Sequence, residues 1–353
     1  MKALVLRGDY DIAVEERPDP QPGDGEVVVE VIATGICGSD FHGYSGENGR
    51  RHPGQVMGHE TVGRIGEIGS GVTEFAPGQL VTINPVMACG ACAACRGGQQ
   101  QWCSRRKVLG VAPEIPAAFA ERVAAPARNI VVLPERMPAE LGALVEPLAV
   151  GYHAVRRGAP SADDRVLVIG GGPIGQACLL AARRLGVAIV AVSDVSASRR
   201  DLCAKLGAHA IDPTSGDLAE AVAGRLGGPA TLVIDAVGVN QTIADAFTAS
   251  GLGSRIVLVG MGSPRLDLAA YAVSTEERTL IGAFTYTADD FAETAAWVGT
   301  QPDGIEALID GRVGWEQAPQ SFDDLARGRS TASKILVFPQ GPPPPESAGG
   351  ESR

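Results

Sequence analysis

Four cysteines crowd into fifteen consecutive residues, Cys89-x-x-Cys92-x-x-Cys95 and then Cys103. Thiolates so spaced can be wrapped by a single loop around a tetrahedral zinc ion, and four protein ligands leave no coordination position open. A site of that kind holds structure together and does no chemistry. The chain has seven cysteines, an odd number, and the crowding of four favours metal over disulfides in a cytosolic chain of enzyme size. A zinc ribbon that grips nucleic acid would use the same ligands. The formal net charge of −11 and the lack of a long basic run argue against nucleic acid and against an anionic membrane.

A second set is dispersed. Cys37 stands in Gly-Ile-Cys-Gly-Ser-Asp, His59 and Glu60 in Gly-His-Glu, and Glu146 in Val-Glu-Pro. One Cys, one His and one carboxylate give three protein ligands and leave a fourth position for water or substrate, the pattern of a catalytic zinc. The metal would act as a Lewis acid on an alcohol oxygen. Each residue also has a plainer reading: Cys37 as a small buried hydrophobe, His59 as a loop cap, Glu146 as the start of a helix. Which carboxylate binds directly stays open. The preferred expectation is Glu146, because Pro147 should hold it extended, with Glu60 acting through water or as a swing-in ligand. Ser39, two residues after Cys37, and His42, a residue type suited to proton transfer near neutral pH, are candidates to carry a proton outward. The plainer reading of His42 is an exposed loop residue, and His52, His153 and His209 read as structural or surface residues.

A third signal is a glycine loop. Val166-Leu167-Val168-Ile169 runs into Gly170-Gly171-Gly172-Pro173-Ile174-Gly175 and then into an apolar helical pattern. This is GxGxxG between a strand and a helix, where backbone N–H groups and the helix dipole receive a pyrophosphate. Gly170 permits the turn, Gly172 the close approach and Gly175 the packing of helix on strand. Asp194 ends the next expected strand, nineteen residues after Gly175. A carboxylate there accepts from the adenosine ribose hydroxyls and repels a 2′-phosphate, so NAD is favoured over NADP, although Arg199 and Arg200 lie near.

These residues need elements to hold them. The first 147 residues read as short strands, at 27–32, 61–66 and 79–83, split by Gly and Pro turns. From Asp164 the rhythm alternates. Strands at 165–169, 188–193, 231–236 and 255–259 and helices at 173–185, 196–206 and 241–249 imply a parallel doubly wound sheet. A strand at 279–284 ends that sheet, and a last one covers 334–337. Residues 341–353, rich in Pro, Gly and Ser, read as a disordered tail. With 353 residues, 45% of them hydrophobic and 20% charged, the chain fits two globular domains. Met1–Leu6 is too short an apolar stretch for a secretory signal, and no apolar run reaches membrane-spanning length, so the cytoplasm is expected.

Together the motifs resemble the zinc-containing medium-chain dehydrogenase/reductase family, from Met1 to about Pro339. The carriers are Cys37-Gly38-Ser39-Asp40, Gly58-His59-Glu60, the four-cysteine lobe, Gly170–Gly175 and Leu258-Val259-Gly260-Met261-Gly262. The run from Glu146 through Val150-Gly151-Tyr152-His153 to Arg157 is similar to the sorbitol (polyol) dehydrogenase branch. Two stretches depart from that branch: Thr285 stands where Arg is frequent after Phe284, and Ala117–Arg122 replaces Gly-Gly-Phe-Ala-Glu-Tyr.

The resemblance implies an α/β fold, with a GroES-like catalytic domain at 1–147 completed by 289–340, a Rossmann domain at 148–288, and the active site in the cleft. It implies a catalytic zinc on Cys37 and His59 with Glu60 or Glu146, and hence two zinc ions per chain. It also implies an adenosine contact from Arg199, a nicotinamide wall at Val259–Met261 and Phe284–Thr285, and a homodimer or homotetramer. The expected reaction is oxidation of a polyol, cyclitol or amino alcohol to a ketone with hydride transfer to NAD. Threonine or aminocyclitol dehydrogenation on the same residues, a zinc-independent quinone or enoyl reductase, and a non-enzymatic NAD-binding protein are the rivals. Zinc content and any turnover separate the last two.

Overall fold

The computed structural model describes residues 1–47, 49 and 51–344; of the expected tail, 345–353 lie outside the described residues, and 341–344 are exposed without regular structure. By packing, the chain divides into two units. One comprises Met1–Ile83, Val108–Glu135 and residues from Ile309 on, and the other Asn84–Lys107 and Arg136–Leu308. The architecture is of the α/β class, one unit built on a mixed sheet and the other on a parallel one.

The first unit is built on a mixed sheet in the order Gly311–Val313, Ile335–Val337, Glu26–Gly35, Glu60–Ile68, Leu80–Ile83, Ile130–Val132, with Arg122–Pro126 also paired to Glu26–Gly35. Val27, Val29, Val31 and Ala33 alternate with their neighbours along the central strand, and most of that strand is buried. Its core gathers Leu4, Met57, Phe119 and Phe322, with the two phenylalanine rings edge to face at 5.4 Å. The register matters for the site. Gly35 pairs with Glu60, Leu336 pairs with Gly35, and the Ile36 N–H donates to the Ile335 carbonyl at 2.9 Å. Three strand ends therefore meet, and residues just beyond them (Cys37, His59, Lys334) are delivered to one edge.

The second unit carries a six-stranded, all-parallel sheet in the order His209–Ile211, Ile189–Ser193, Arg165–Ile169, Ala230–Asp235, Ser250–Leu258, Thr279–Gly282. Strands covered on both faces read as nearly unbroken apolar runs, and Val166–Ile169 and Leu232–Ile234 are buried throughout. The strand Thr279–Gly282 lies at the sheet edge, as expected, with Leu280 40% exposed. His209–Ile211 and the helix Leu218–Leu226 were not foreseen, because a three-residue strand carries too few positions to show a period.

One local expectation is corrected. Glu146 is not extended: it lies in the first turn of the helix Val145–Arg157, with Pro147 following it. The missing proline N–H costs nothing there, since first-turn N–H groups have no intrahelical partner. The preference of a pre-proline residue for extended backbone yields to the helix that follows.

Candidate active site and metal centres

At the joined strand ends, Cys37 Sγ, a His59 ring nitrogen and a Glu60 carboxylate oxygen all lie within 4.8 Å of one another. Cys37 stands at the N-terminus of the short helix Gly38–Tyr44, where its N–H donates to Asp40 Oδ2 at 3.1 Å. The other Asp40 oxygen faces His59 Nδ1 at 3.6 Å and Arg51 Nη2 at 3.7 Å, and all three side chains are buried. Asp40 thus sits behind both candidate ligands. At 3.6 Å the approach of His59 to Asp40 is an ion-pair distance, longer than a hydrogen bond.

Glu60 is differently placed from its neighbour. Lys334 Nζ donates to Glu60 Oε1 at 2.6 Å and Oε2 at 2.5 Å, and both side chains are almost wholly buried. Gly35 makes room for the pair: a Cβ there would lie 2.1 Å from Glu60 Oε2. Lys334 was missed by sequence reasoning except as the start of a strand, since 274 residues separate it from its partner. Glu146 belongs to the second unit, where its Oε1 accepts from the fully buried Tyr286 hydroxyl at 2.9 Å. The chain turns just before that tyrosine through Thr285, whose φ of +49° is unusual for a β-branched residue. That turn leaves Phe284 exposed and Tyr286 inside.

Ser39 and His42 fall on the helix Gly38–Tyr44, three residues apart and so on one face. The Ser39 hydroxyl is buried, whereas His42 is half exposed, with Nδ1 2.7 Å from Glu47 Oε2.

The four cysteine sulfurs of the lobe also lie within 4.8 Å of one another, with Cys92 and Cys95 at 3.4 Å and Cys89 and Cys95 at 3.8 Å. These separations are far too long for a disulfide. They match the edge of about 3.8 Å that Zn–S bonds of about 2.3 Å give a tetrahedron. Backbone N–H groups of Ala91 and Cys92 hold the Cys89 thiol down to about 5, while burial and then Cys92 push Cys95 up to about 11. Four sulfurs this close ionise together only around a cation, so the donor set fits a closed zinc site.

The glycine loop has the form expected of it. Gly170 has φ +94°, and a Cβ at Gly175 would lie 1.7 Å from the Gly170 carbonyl, so no side chain is possible there. The helix Pro173–Arg184 starts with Pro173 in its first turn and Ile174 beside it, on Gly172 as N-cap. Asp194 Oδ2 accepts from the Gly171 N–H and Oδ1 from the Ser196 N–H, both at 2.7 Å, which fixes its carboxylate at the end of Ile189–Ser193. Arg199 Nη1 lies 3.8 Å from Asp194 Oδ2, and Arg200 donates to the Asp194 carbonyl at 2.8 Å.

Residues 23–135 match the alcohol dehydrogenase GroES-like domain and residues 173–300 the zinc-binding dehydrogenase domain. Sorbitol dehydrogenase of Ovis aries is 32% identical over 344 residues, covering 96% of each chain. The chain belongs to the zinc-containing medium-chain dehydrogenase/reductase family. Its likeness within the family is to the sorbitol branch, and it is a zinc-dependent dehydrogenase of secondary alcohols using a nicotinamide cofactor. A Sinorhizobium meliloti structure described as a zinc-binding dehydrogenase, bound to NADP, is similar at a TM-score of 0.88 and 30% identity, covering 96% of this chain and 99% of its own. An alcohol dehydrogenase of Escherichia coli CFT073 complexed with NADH matches at 0.88 and 29%, with the same coverage. No helix among the described residues is long and apolar enough to cross a membrane.

Proposed function

We propose that this dehydrogenase oxidises a polyol, cyclitol or amino alcohol to its ketone, with NAD as hydride acceptor, in the cytoplasm and as a homodimer or homotetramer. The observation that carries the reading is the Cys37–His59 pair at the joined strand ends, backed by Asp40. Cys37 and His59, with Glu60 or Glu146 as the carboxylate, hold the catalytic zinc; Cys89, Cys92, Cys95 and Cys103 hold the structural one. When bound, the catalytic zinc supplies Lewis acidity that eases loss of the alcohol proton near neutral pH.

The chain's own residues do the rest. Ser39 takes the alcohol proton and His42 passes it outward, their helical spacing supporting the order. The backbone of Gly170, Gly172, Pro173, Ile174 and Gly175 receives the pyrophosphate. Asp194 accepts from the adenosine ribose beside Arg199, and its fixed carboxylate is the support for NAD over NADP. Val259, Met261, Phe284 and Thr285 wall the nicotinamide. We assign residues 1–147 and 289–340 to the catalytic domain and 148–288 to the coenzyme domain.

The test is a panel of polyols, cyclitols, amino alcohols and simple secondary alcohols offered with NAD and with NADP, followed by NADH absorbance. Turnover of at least one class with NAD, lost on zinc chelation, supports the reading. Activity that survives complete zinc removal, or none on any secondary alcohol, overturns it.

A further inference from the structure

A cavity of about 590 Å³ lies wholly within the second unit, with Arg106, Arg157, His153, Trp102, Met261 and Phe284 among its lining. That volume suits a small polar molecule. No acidic side chain lines it. In a chain of net charge −11, a cavity with two guanidinium groups and no carboxylate is a local reversal of sign.

Neither arginine is spent on an ion pair. Arg106 stacks on the Phe284 ring at 5.3 Å and donates to the Cys103 carbonyl at 3.2 Å; Arg157 donates its Nε to the Gly282 carbonyl at 3.3 Å. Arg106 is tethered to the wall by two neutral contacts and Arg157 by one, and neither has a carboxylate partner among the described residues. His153 is buried in the lining, with Nδ1 held 2.7 Å from Asp290 Oδ2, so Nε2 is the ring nitrogen left for a hydroxyl. Tethered, uncompensated guanidinium groups beside a partner for a hydroxyl are what a polyhydroxy anion requires.

We propose that this cavity selects an anionic polyol, one bearing a carboxylate or phosphate group, which Arg106 and Arg157 grip while His153 Nε2 bonds a hydroxyl. The proposal rests on the dehydrogenase reading above, since Val259–Met261 and Phe284 wall both this cavity and the proposed nicotinamide position. Met261 and Phe284 give the carbon chain its apolar side.

Matched substrates test it: a hexitol, the corresponding aldonate and the corresponding hexitol phosphate, each with NAD and the zinc-loaded enzyme. The expected result is kcat/KM at least about tenfold higher for an anionic member than for the hexitol. The R106Q/R157Q variant should bring that ratio close to one, through KM more than kcat, and rising salt should shrink it in the native enzyme. Preference for the aldonate or for the phosphate tells which anion is gripped. A native enzyme that favours the neutral hexitol, or a ratio unmoved in R106Q/R157Q, overturns the proposal while leaving the dehydrogenase reading intact. Silence on every secondary alcohol defeats that reading instead. NADH affinity, read by fluorescence, is the control: a loss in R106Q/R157Q as large as the loss for the anionic substrate assigns the arginines to the cofactor and overturns the proposal.

Discussion

Glu60 and Lys334 form an ion pair with almost no access to water, and such a pair is fragile in one direction only. Removing one partner strands a buried charge, at a cost of about 3–5 kcal/mol, whereas replacing both is far milder. Lys334→Met alone should therefore lower the stability of protein stripped of its chelator-labile zinc by that amount in denaturant unfolding. Adding Glu60→Gln should recover most of the loss; two single costs that simply add would show the pair to be energetically uncoupled. Asp194 is the second residue on which a single change decides something. Its carboxylate is held by two backbone N–H groups, so Asp194→Ala should raise the KM for NAD and narrow the gap to NADP by removing the ribose acceptor and the repulsion together. A native enzyme that already prefers NADP would refute the assignment of that carboxylate.

Among elements, the loop that opens the coenzyme sheet hangs on Asp164. Its carboxylate accepts from the Ser161 N–H at 2.7 Å, the Thr231 hydroxyl at 2.6 Å and the Arg255 guanidinium, which also donates to the carbonyls of Gly158 and Ala159. Burial opposes ionisation here, yet Thr231, Arg255 and Ser161 together pull Asp164 down to about 2. A carboxyl depressed in the folded state adds stability above its unfolded value, lost as pH falls through the folded one. Asp164→Asn should thus cost roughly 2 kcal/mol at neutral pH, and the difference from native should fade between pH 4 and pH 2. Chemical denaturation at several pH values checks this; a constant difference would place the effect in packing. Elements were largely legible in the sequence because they are local: the strand Arg165–Ile169, the glycine loop and the helix after it have period and punctuation within twenty residues. The four-cysteine lobe is legible for the same reason. What escaped was the pairing of distant residues, such as Lys334 with Glu60 and Tyr286 with Glu146, which sheet register and helix placement create and no spacing announces. Glu146 shows the limit from the other side: Pro147 argues for extended backbone there, yet the plainer reading, the start of a helix, is what forms.

For the molecule as a whole, metal content is the first expectation. Purified protein should hold two zinc ions per chain, one removed quickly by chelator and one slowly, with activity lost before the fold, because the closed lobe offers no open position to a competing ligand. A single zinc in fully active enzyme would contradict the assignment of one of the two donor sets. The second expectation is self-association. The strand Thr279–Gly282 ends its sheet with unpaired backbone on one side and Leu280 half in solvent, an edge that invites a symmetry mate. Light scattering at micromolar concentration should report two or four chains; a monomer there would require that edge to be shielded in some other way.

The meeting of three strand ends has a consequence for the order in which the chain is made. All four lobe sulfurs have been synthesised once residue 103 has been added, whereas Glu60 must wait for Lys334, 274 residues later. At translation rates of 5–20 residues per second, that gap lasts roughly 15–55 s. Through that interval the strand Glu26–Gly35 lacks the neighbour Ile335–Val337, and Glu60 has no cation to hold it. A chain released after residue 103 and before Lys334 would carry all four sulfurs of the lobe but an unfinished Cys37–His59–Glu60 cluster, its carboxylate without the lysine.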